Sequence, residues 1–169
     1  RGVYMISECL LWDFDNTLGY RDGMWTQSLC NVLTNEGHKN IDSYAIHRSF
    51  VTGFTWNRYE EAHWDYFEGK TWWEYTNSLL YRALNVIGFV DIKQNKNLVT
   101  QFKTEYLRLD AWNLFEDTLV CLDKSKKLGY ANILLSNHVP ELNAILSHLG
   151  ILDYFDNIIN SSLVGYCKP

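Results

Sequence analysis

Residues 9–12, Cys-Leu-Leu-Trp, are wholly apolar and run straight into Asp13-Phe14-Asp15. A short unbroken apolar run of this kind predicts a strand buried on both faces of a parallel sheet. After Gly19 and Gly23 the pattern changes to a helical period, with Trp25, Leu29, Val32 and Leu33 on one face and Gly37 as a stop. Ile41, Tyr44 or Ala45, and Phe50 predict a second, shorter helix. Thr71-Trp72-Trp73-Glu74 reads as a capping box, in which Thr71 and Glu74 satisfy each other's orphan amides. From there Trp72, Thr76, Leu79, Leu80, Ala83, Leu84 and Ile87 form an apolar stripe that runs to Gly88, and Leu98, Phe102, Tyr106 and Leu109 mark a fourth helix over 95–109.

Around residue 111 the rhythm changes. Asp117 is placed to N-cap a helix over 118–128, which Gly129 closes, and 131–135 (Ala-Asn-Ile-Leu-Leu) reads as a strand. Pro140 suits the first turn of a helix ending at Gly150, and 157–160 (Asn-Ile-Ile-Asn) reads as another short strand. Strand and helix alternating in this way predict an α/β fold, a doubly wound, Rossmann-like parallel sheet. The predicted core comprises residues 1–19 and 111–169, with residues 20–110 inserted as an α-helical domain.

Composition narrows the function. The 169 residues are 47% hydrophobic and 21% charged, within the ordinary globular range. A formal charge of −5 without a basic stripe argues against nucleic acid as a partner, and Lys124, Lys126 and Lys127 read as the solvated face of a helix. Cys9, Cys30, Cys121 and Cys167 form no CxxC pair, so neither a zinc site nor a redox dithiol is expected. No segment approaches the roughly 18 apolar residues of a membrane span, and nothing reads as a signal peptide. A cytoplasmic setting without a membrane partner follows as the expectation, with Met5 as a natural start.

In an open parallel sheet, ligands bind where the strands end in loops at their carboxyl edge. The first strand delivers Asp13 and Asp15 there, the second Ser136, Asn137 and His138, and the segment after the third leads to Lys168. Alternation of the extended backbone lets Asp13 and Asp15 point to the same side. One aspartate can attack phosphorus while a second protonates the leaving oxygen, and the pair can hold Mg²⁺, a hard cation that prefers oxygen. A hydroxyl, backbone amides and a lysine would then offset charge on the phosphoryl oxygens.

Asp13-Phe14-Asp15-Asn16-Thr17-Leu18 resembles the first motif of the haloacid dehalogenase-like hydrolase superfamily, DxDx[TV]L. Leu134-Leu135-Ser136-Asn137 is similar to the second, and Gly165-Tyr166-Cys167-Lys168-Pro169 to the third. The insertion after the first motif resembles the family's helical type I cap. The resemblance implies a Mg²⁺-dependent phosphohydrolase acting on a small phosphorylated metabolite. It gives Asp13 as nucleophile and metal ligand, and Asp15 as general acid/base with its carbonyl on the metal. Ser136, with Asn137 beside it, and Lys168 would bind the phosphoryl group. An aspartate at position 15 favours phosphate esters over the substrates of relatives that resemble dehalogenases. The alternatives are a phosphomutase of the same superfamily and a non-catalytic binding domain without a complete metal site. The family's fourth motif, a pair of acids after a further strand, has no counterpart after Lys168. A longer natural chain is therefore expected, as is an exposed edge along Cys9–Trp12.

Tyr20 and Arg21, at the entry to the insertion, are candidate substrate contacts, as is the loop residue His138; Cys167 reads as a packing residue. The run from Phe50 to Tyr75 carries Phe50, Phe54, Trp56, Tyr59, Trp64, Tyr66, Phe67, Trp72, Trp73 and Tyr75. These aromatics are expected mainly to hold a small helical domain together, with one or two facing the active site.

Overall fold

The computed structural model of the chain describes residues 8–66 and 70–169. Strand β1 (Cys9–Trp12) leads through β2 (Gly19–Arg21) into helices α1 (Met24–Asn35), α2 (Ser43–Ser49), α3 (Lys70–Val86) and α4 (Ile92–Tyr106). The chain returns through β3 (Trp112–Leu114), then continues as α5 (Thr118–Lys127), β4 (Ala131–Ser136), α6 (Leu142–His148), β5 (Asn157–Asn160) and α7 (Ser161–Val164). Strands β1, β4 and β5 form a parallel sheet in that order, with Leu10 opposite Asn132 and Leu134 opposite Ile158. The fold is thus α/β with a parallel sheet, as the strand–helix rhythm predicts. None of the described helices is long and apolar enough to cross a membrane.

The three-residue strands β2 and β3 were not expected from the sequence. They pair antiparallel, Gly19 opposite Leu114 and Arg21 opposite Trp112, and so join the points where the chain leaves and re-enters the sheet region. Gly19 is obligatory there: a Cβ would lie 2.8 Å from a ring carbon of Phe14 and 2.9 Å from the Asn113 carbonyl. Because the backbone carbonyl cannot rotate away, Gly19→Ala is expected to lower stability by about 2 kcal/mol, read as a shift in the urea midpoint. An unchanged midpoint would show that the junction is more pliable than its packing indicates.

Four sequence expectations need correction. Strand β1 is not buried on both faces. Leu10 and Trp12 are half-buried, but Cys9 is exposed and Leu11 is 63% exposed, because no described element covers their face. Helix α3 already contains Lys70, so Thr71 lies within the helix rather than immediately before it. Asp117 precedes α5 without a side-chain capping bond; the nearby Thr118 hydroxyl instead donates to the Leu18 carbonyl at 2.6 Å. Finally, α6 begins at Leu142, so Pro140 lies in the turn before the helix.

The helices are organised around aromatic rings. Trp25, on the predicted face of α1, lies 4.8 Å from the rings of Phe54 and Tyr106 and 5.2 Å from that of Phe102. The predicted α3 stripe is buried from Trp72 through Leu84. Helix α4 starts earlier than expected, because the Asp91 carboxylate accepts the Gln94 amide proton at 2.7 Å. Phe67, counted in the aromatic run, lies outside the described residues.

Candidate active site

The turn after β1 explains how two acids come to face one cavity. The amides of Thr17, Leu18 and Gly19 all donate to the Phe14 carbonyl at 3.0–3.1 Å, and the Asn16 amide donates to Gly19. This folds the chain back immediately after Asp15, with Asn16 at φ 58°, a left-handed conformation that asparagine tolerates. Phe14 and Leu18 are buried beneath the turn, and Asp13 and Asp15 line a cavity of about 300 Å³ together with Asn16, Asn137 and Lys168.

Lys168 Nζ lies 2.5 Å from Asp13 Oδ2. The lysine is held by a reciprocal pair of bonds: its amide donates to Asn137 Oδ1, and Asn137 Nδ2 donates to its carbonyl, both at 2.9 Å. Asn137, read from the sequence as a phosphate-binding residue, therefore uses its amide group to fix the loop that carries Lys168. Asn160, not singled out in the sequence, does similar work one strand over. It donates to the Val139 carbonyl at 2.8 Å and accepts from the Ser162 amide and hydroxyl.

Burial, reinforced by the neighbouring charge of Asp13 and opposed by Lys168, raises the Asp15 pKa from 3.8 to about 7. Asp15 Oδ1 is buried with no hydrogen-bond partner. His138 Nε2 lies 3.6 Å from it, too far for a hydrogen bond. His138 is not a loop residue open to substrate. It is 2% exposed, its ring packs between Phe14 and Trp112 at 5.4 and 5.2 Å, and burial lowers its pKa to about 4. The imidazole is therefore neutral at physiological pH. Ser136 ends β4 and is buried, with an Oγ that has no partner; it does not line the cavity.

Two sequence-derived contacts are placed elsewhere. Arg21 is buried, and its guanidinium pairs with Glu105 at 3.0 Å and donates to Ser28 at 3.1 Å, which ties β2 to α4 and α1. Tyr20 packs its ring on Phe115 at 4.9 Å. Neither lines the cavity. Its upper wall is instead built by Met24, Trp25, Trp56, Trp72, Tyr106 and Val139. Burial, and then the charge of Asp15, pushes the Tyr106 phenol well above its ordinary value, so the phenol stays protonated.

The inserted helices also hold the loops that carry the site. Trp73 Nε1 donates to both carboxylate oxygens of Glu141, at 3.0 and 3.1 Å, and Lys103 Nζ lies 3.0 Å from one of them. On the opposite side the His63 amide donates to the Gly165 carbonyl at 2.7 Å, and the Trp64 ring meets Tyr166 edge-on at 4.9 Å.

The paired acids, with a lysine on the leading one, sit at the carboxyl edge of the parallel sheet, where open α/β sheets bind their ligands. The model of the haloacid dehalogenase-like hydrolases matches residues 8–169, and the chain belongs to that family. The mouse (Mus musculus) haloacid dehalogenase-like hydrolase domain-containing protein 3 is 24% identical over 100 residues, covering 59% of this chain and 39% of that protein. Among solved structures, a predicted phosphoglycolate phosphatase from Haemophilus somnus 129pt superposes with a TM-score of 0.63 at 16% identity. The match covers 98% of this chain and 68% of that one. A candidate β-phosphoglucomutase from Thermotoga maritima gives 0.67 at 14% identity, over 96% and 65% of the two chains. The candidate HAD-hydrolase YfnB from Bacillus subtilis, solved bound to magnesium, gives 0.60 at 14%, over 92% and 65%. At these identities the likeness shows the shared fold. The chain thus spans well under half of the mouse relative and about two thirds of the solved ones.

Proposed function

We propose that this hydrolase cleaves a phosphate monoester of a small soluble metabolite through an aspartyl-phosphate on Asp13, with residues 20–110 acting as the cap over the site. The observation that carries the reading is one cavity holding Asp13 in contact with Lys168, beside an Asp15 carboxyl whose pKa is about 7. Asp13 attacks phosphorus as the bond to the leaving oxygen breaks, and protonated Asp15 delivers its proton to that oxygen. Asp15, now ionised, takes a proton from the water that attacks the phosphoryl group. Phosphate leaves, and both acids return to their starting states. A pKa near neutrality suits a group that must both give and accept a proton in one cycle. Lys168 offsets charge on the phosphoryl oxygens, and Asn137 and Asn160 keep the loops around it in place.

The residues fit a magnesium ion. Asp13 and Asp15 face one cavity and offer it hard oxygen donors, and among the described residues no larger cluster of acids, histidines or cysteines competes as a metal site. Mg²⁺ binds through one or two carboxylates and completes its shell with water and substrate phosphate; the Asp13 carboxylate and the Asp15 backbone carbonyl would hold it, leaving the Asp15 carboxyl to transfer protons. When bound, the ion would stabilise charge on the phosphoryl oxygens.

Hydrolysis of p-nitrophenyl phosphate tests the proposal. Chelation of divalent ions should lower the rate at least about 10²-fold, and added Mg²⁺ should restore it. Turnover that is indifferent to chelator would remove the metal from the scheme, and no turnover with Mg²⁺ present would remove the phosphatase assignment.

A further inference from the structure

The composition of the cavity wall narrows the leaving group. Resting on the phosphohydrolase reading, we infer that the preferred substrate is the phosphate monoester of an uncharged, single-ring aromatic alcohol. Among the described residues that line the cavity, Lys168 is the only cation, and it already contacts Asp13. A substrate carrying a second anion, such as a carboxylate, would bring that charge into a cavity where no side-chain cation beyond the one at the phosphoryl end offsets it. A sugar fares no better. The Asn137 amide is already bonded at both ends to the Lys168 backbone, and apart from Asn16 most of the remaining wall is apolar, so buried sugar hydroxyls would lose more water contacts than the wall replaces.

Size and rigidity point the same way. The cavity is about 300 Å³, and a ring the size of benzene fits in about 150 Å³, which leaves room for one ring beside a phosphoryl group. Trp25 and Tyr106 are fixed by mutual packing, and Trp56 lies flat on Phe54, with centroids 4.2 Å apart and planes 8° from parallel. The wall is therefore a set of preformed aromatic surfaces suited to stacking. Beyond it lies a second cavity of about 620 Å³ that shares Met24, Trp25 and Trp56 with the first. Trp56 thus forms part of the partition that limits how large the leaving group can be.

Two measurements on the Mg²⁺-loaded protein test this inference. The first compares kcat/KM for phenyl phosphate with that for phosphoglycolate and glucose 6-phosphate, and the phenyl ester should lead each by at least about tenfold. Trp56→Ala should then raise the ratio of 1-naphthyl to phenyl phosphate turnover about tenfold, a change that general loosening would not produce. If phosphoglycolate or the sugar phosphate equals the phenyl ester, or if Trp56→Ala leaves the ratio unchanged, the inference fails while the phosphatase reading stands. The second measurement is independent of turnover. Tryptophan fluorescence titrated with phenylphosphonate should saturate at least about tenfold below the concentration required for phosphonoacetate. If no ester is hydrolysed, the phosphatase reading falls, and this titration alone decides the preference of the cavity: equal affinities, or tighter phosphonoacetate, overturn it.

Discussion

Asp13→Asn should abolish phosphate ester hydrolysis, with kcat reduced by at least ~10⁴-fold and folding preserved. An amide has nearly the shape of the carboxylate, so it keeps the local bond in which Asp13 Oδ1 accepts the Phe14 amide proton at 2.8 Å. It removes two other things at once, the negative charge that pairs with Lys168 at 2.5 Å and the oxygen nucleophile itself. The side chains of Asp13 and Lys168 are only 35% and 25% exposed, so the ion pair is partly shielded from solvent. The accompanying stability change should be small, about 1 kcal/mol. Circular dichroism and a thermal melt would verify the fold, and a coupled phosphate-release assay would measure the rate. Activity within about tenfold of wild type would show that Asp13 is not the nucleophile.

Asp15→Asn should separate activity from stability. Loss of the general acid/base should lower kcat by ~10²–10⁴-fold. Stability should move the other way, and only at high pH. The Asp15 carboxyl titrates at about 7 in the fold against an ordinary 3.8. The native state therefore holds this proton more tightly, and the resulting stabilisation is fully present below pH 3.8 and lost as the pH rises through about 7. At pH 8 the fold carries a largely buried carboxylate beside Asp13, which the neutral amide avoids. With the side chain 24% exposed, the gain is about 2 kcal/mol at pH 8 and near zero at pH 4. His138 has the opposite sign: its pKa falls from 6.5 to about 4, so its contribution is present above pH 6.5 and lost as the pH falls through about 4. Because both proteins retain His138, that effect cancels to first order in the comparison. Urea unfolding at the two pH values, with chelator present, would check the prediction; a variant less stable than wild type at pH 8 would contradict it.

The strand ends were legible because a parallel sheet gathers its carboxyl termini at one edge. Residues as far apart as Asp13 and Lys168 could therefore be assigned to one place from the order of strands alone. What side chains do within that place was not legible. The fate of the Asn137 amide depends on how the loop before Lys168 folds back, which no local pattern records. Arg21 reads as a substrate contact from its place at the entry to the insertion, and no local pattern records its partner, Glu105, 84 residues further along the chain. Strands β2 and β3 went unnoticed because three residues carry no measurable period.

Trp25 and Tyr106 show a different limit. Their positions on the apolar faces of α1 and α4 mark them correctly as core, and both are buried. The same two rings also wall the cavity that holds Asp13 and Asp15, and hydrophobic periodicity cannot separate those roles. His138 illustrates the converse. A polar residue after a strand reads as open loop, but the packing of Phe14 and Trp112 encloses it.

The central claim is covalent chemistry at one carboxylate, and trapping tests it most directly. Mg²⁺-loaded protein would be quenched in acid during steady-state turnover of a good substrate, treated with borohydride, digested and sequenced by mass spectrometry. An aspartyl-phosphate is reduced to homoserine, whereas a free aspartate is left intact. Homoserine is expected at position 13, dependent on substrate, with position 15 unchanged. Turnover without modification at Asp13, or modification at a different acid, would contradict it.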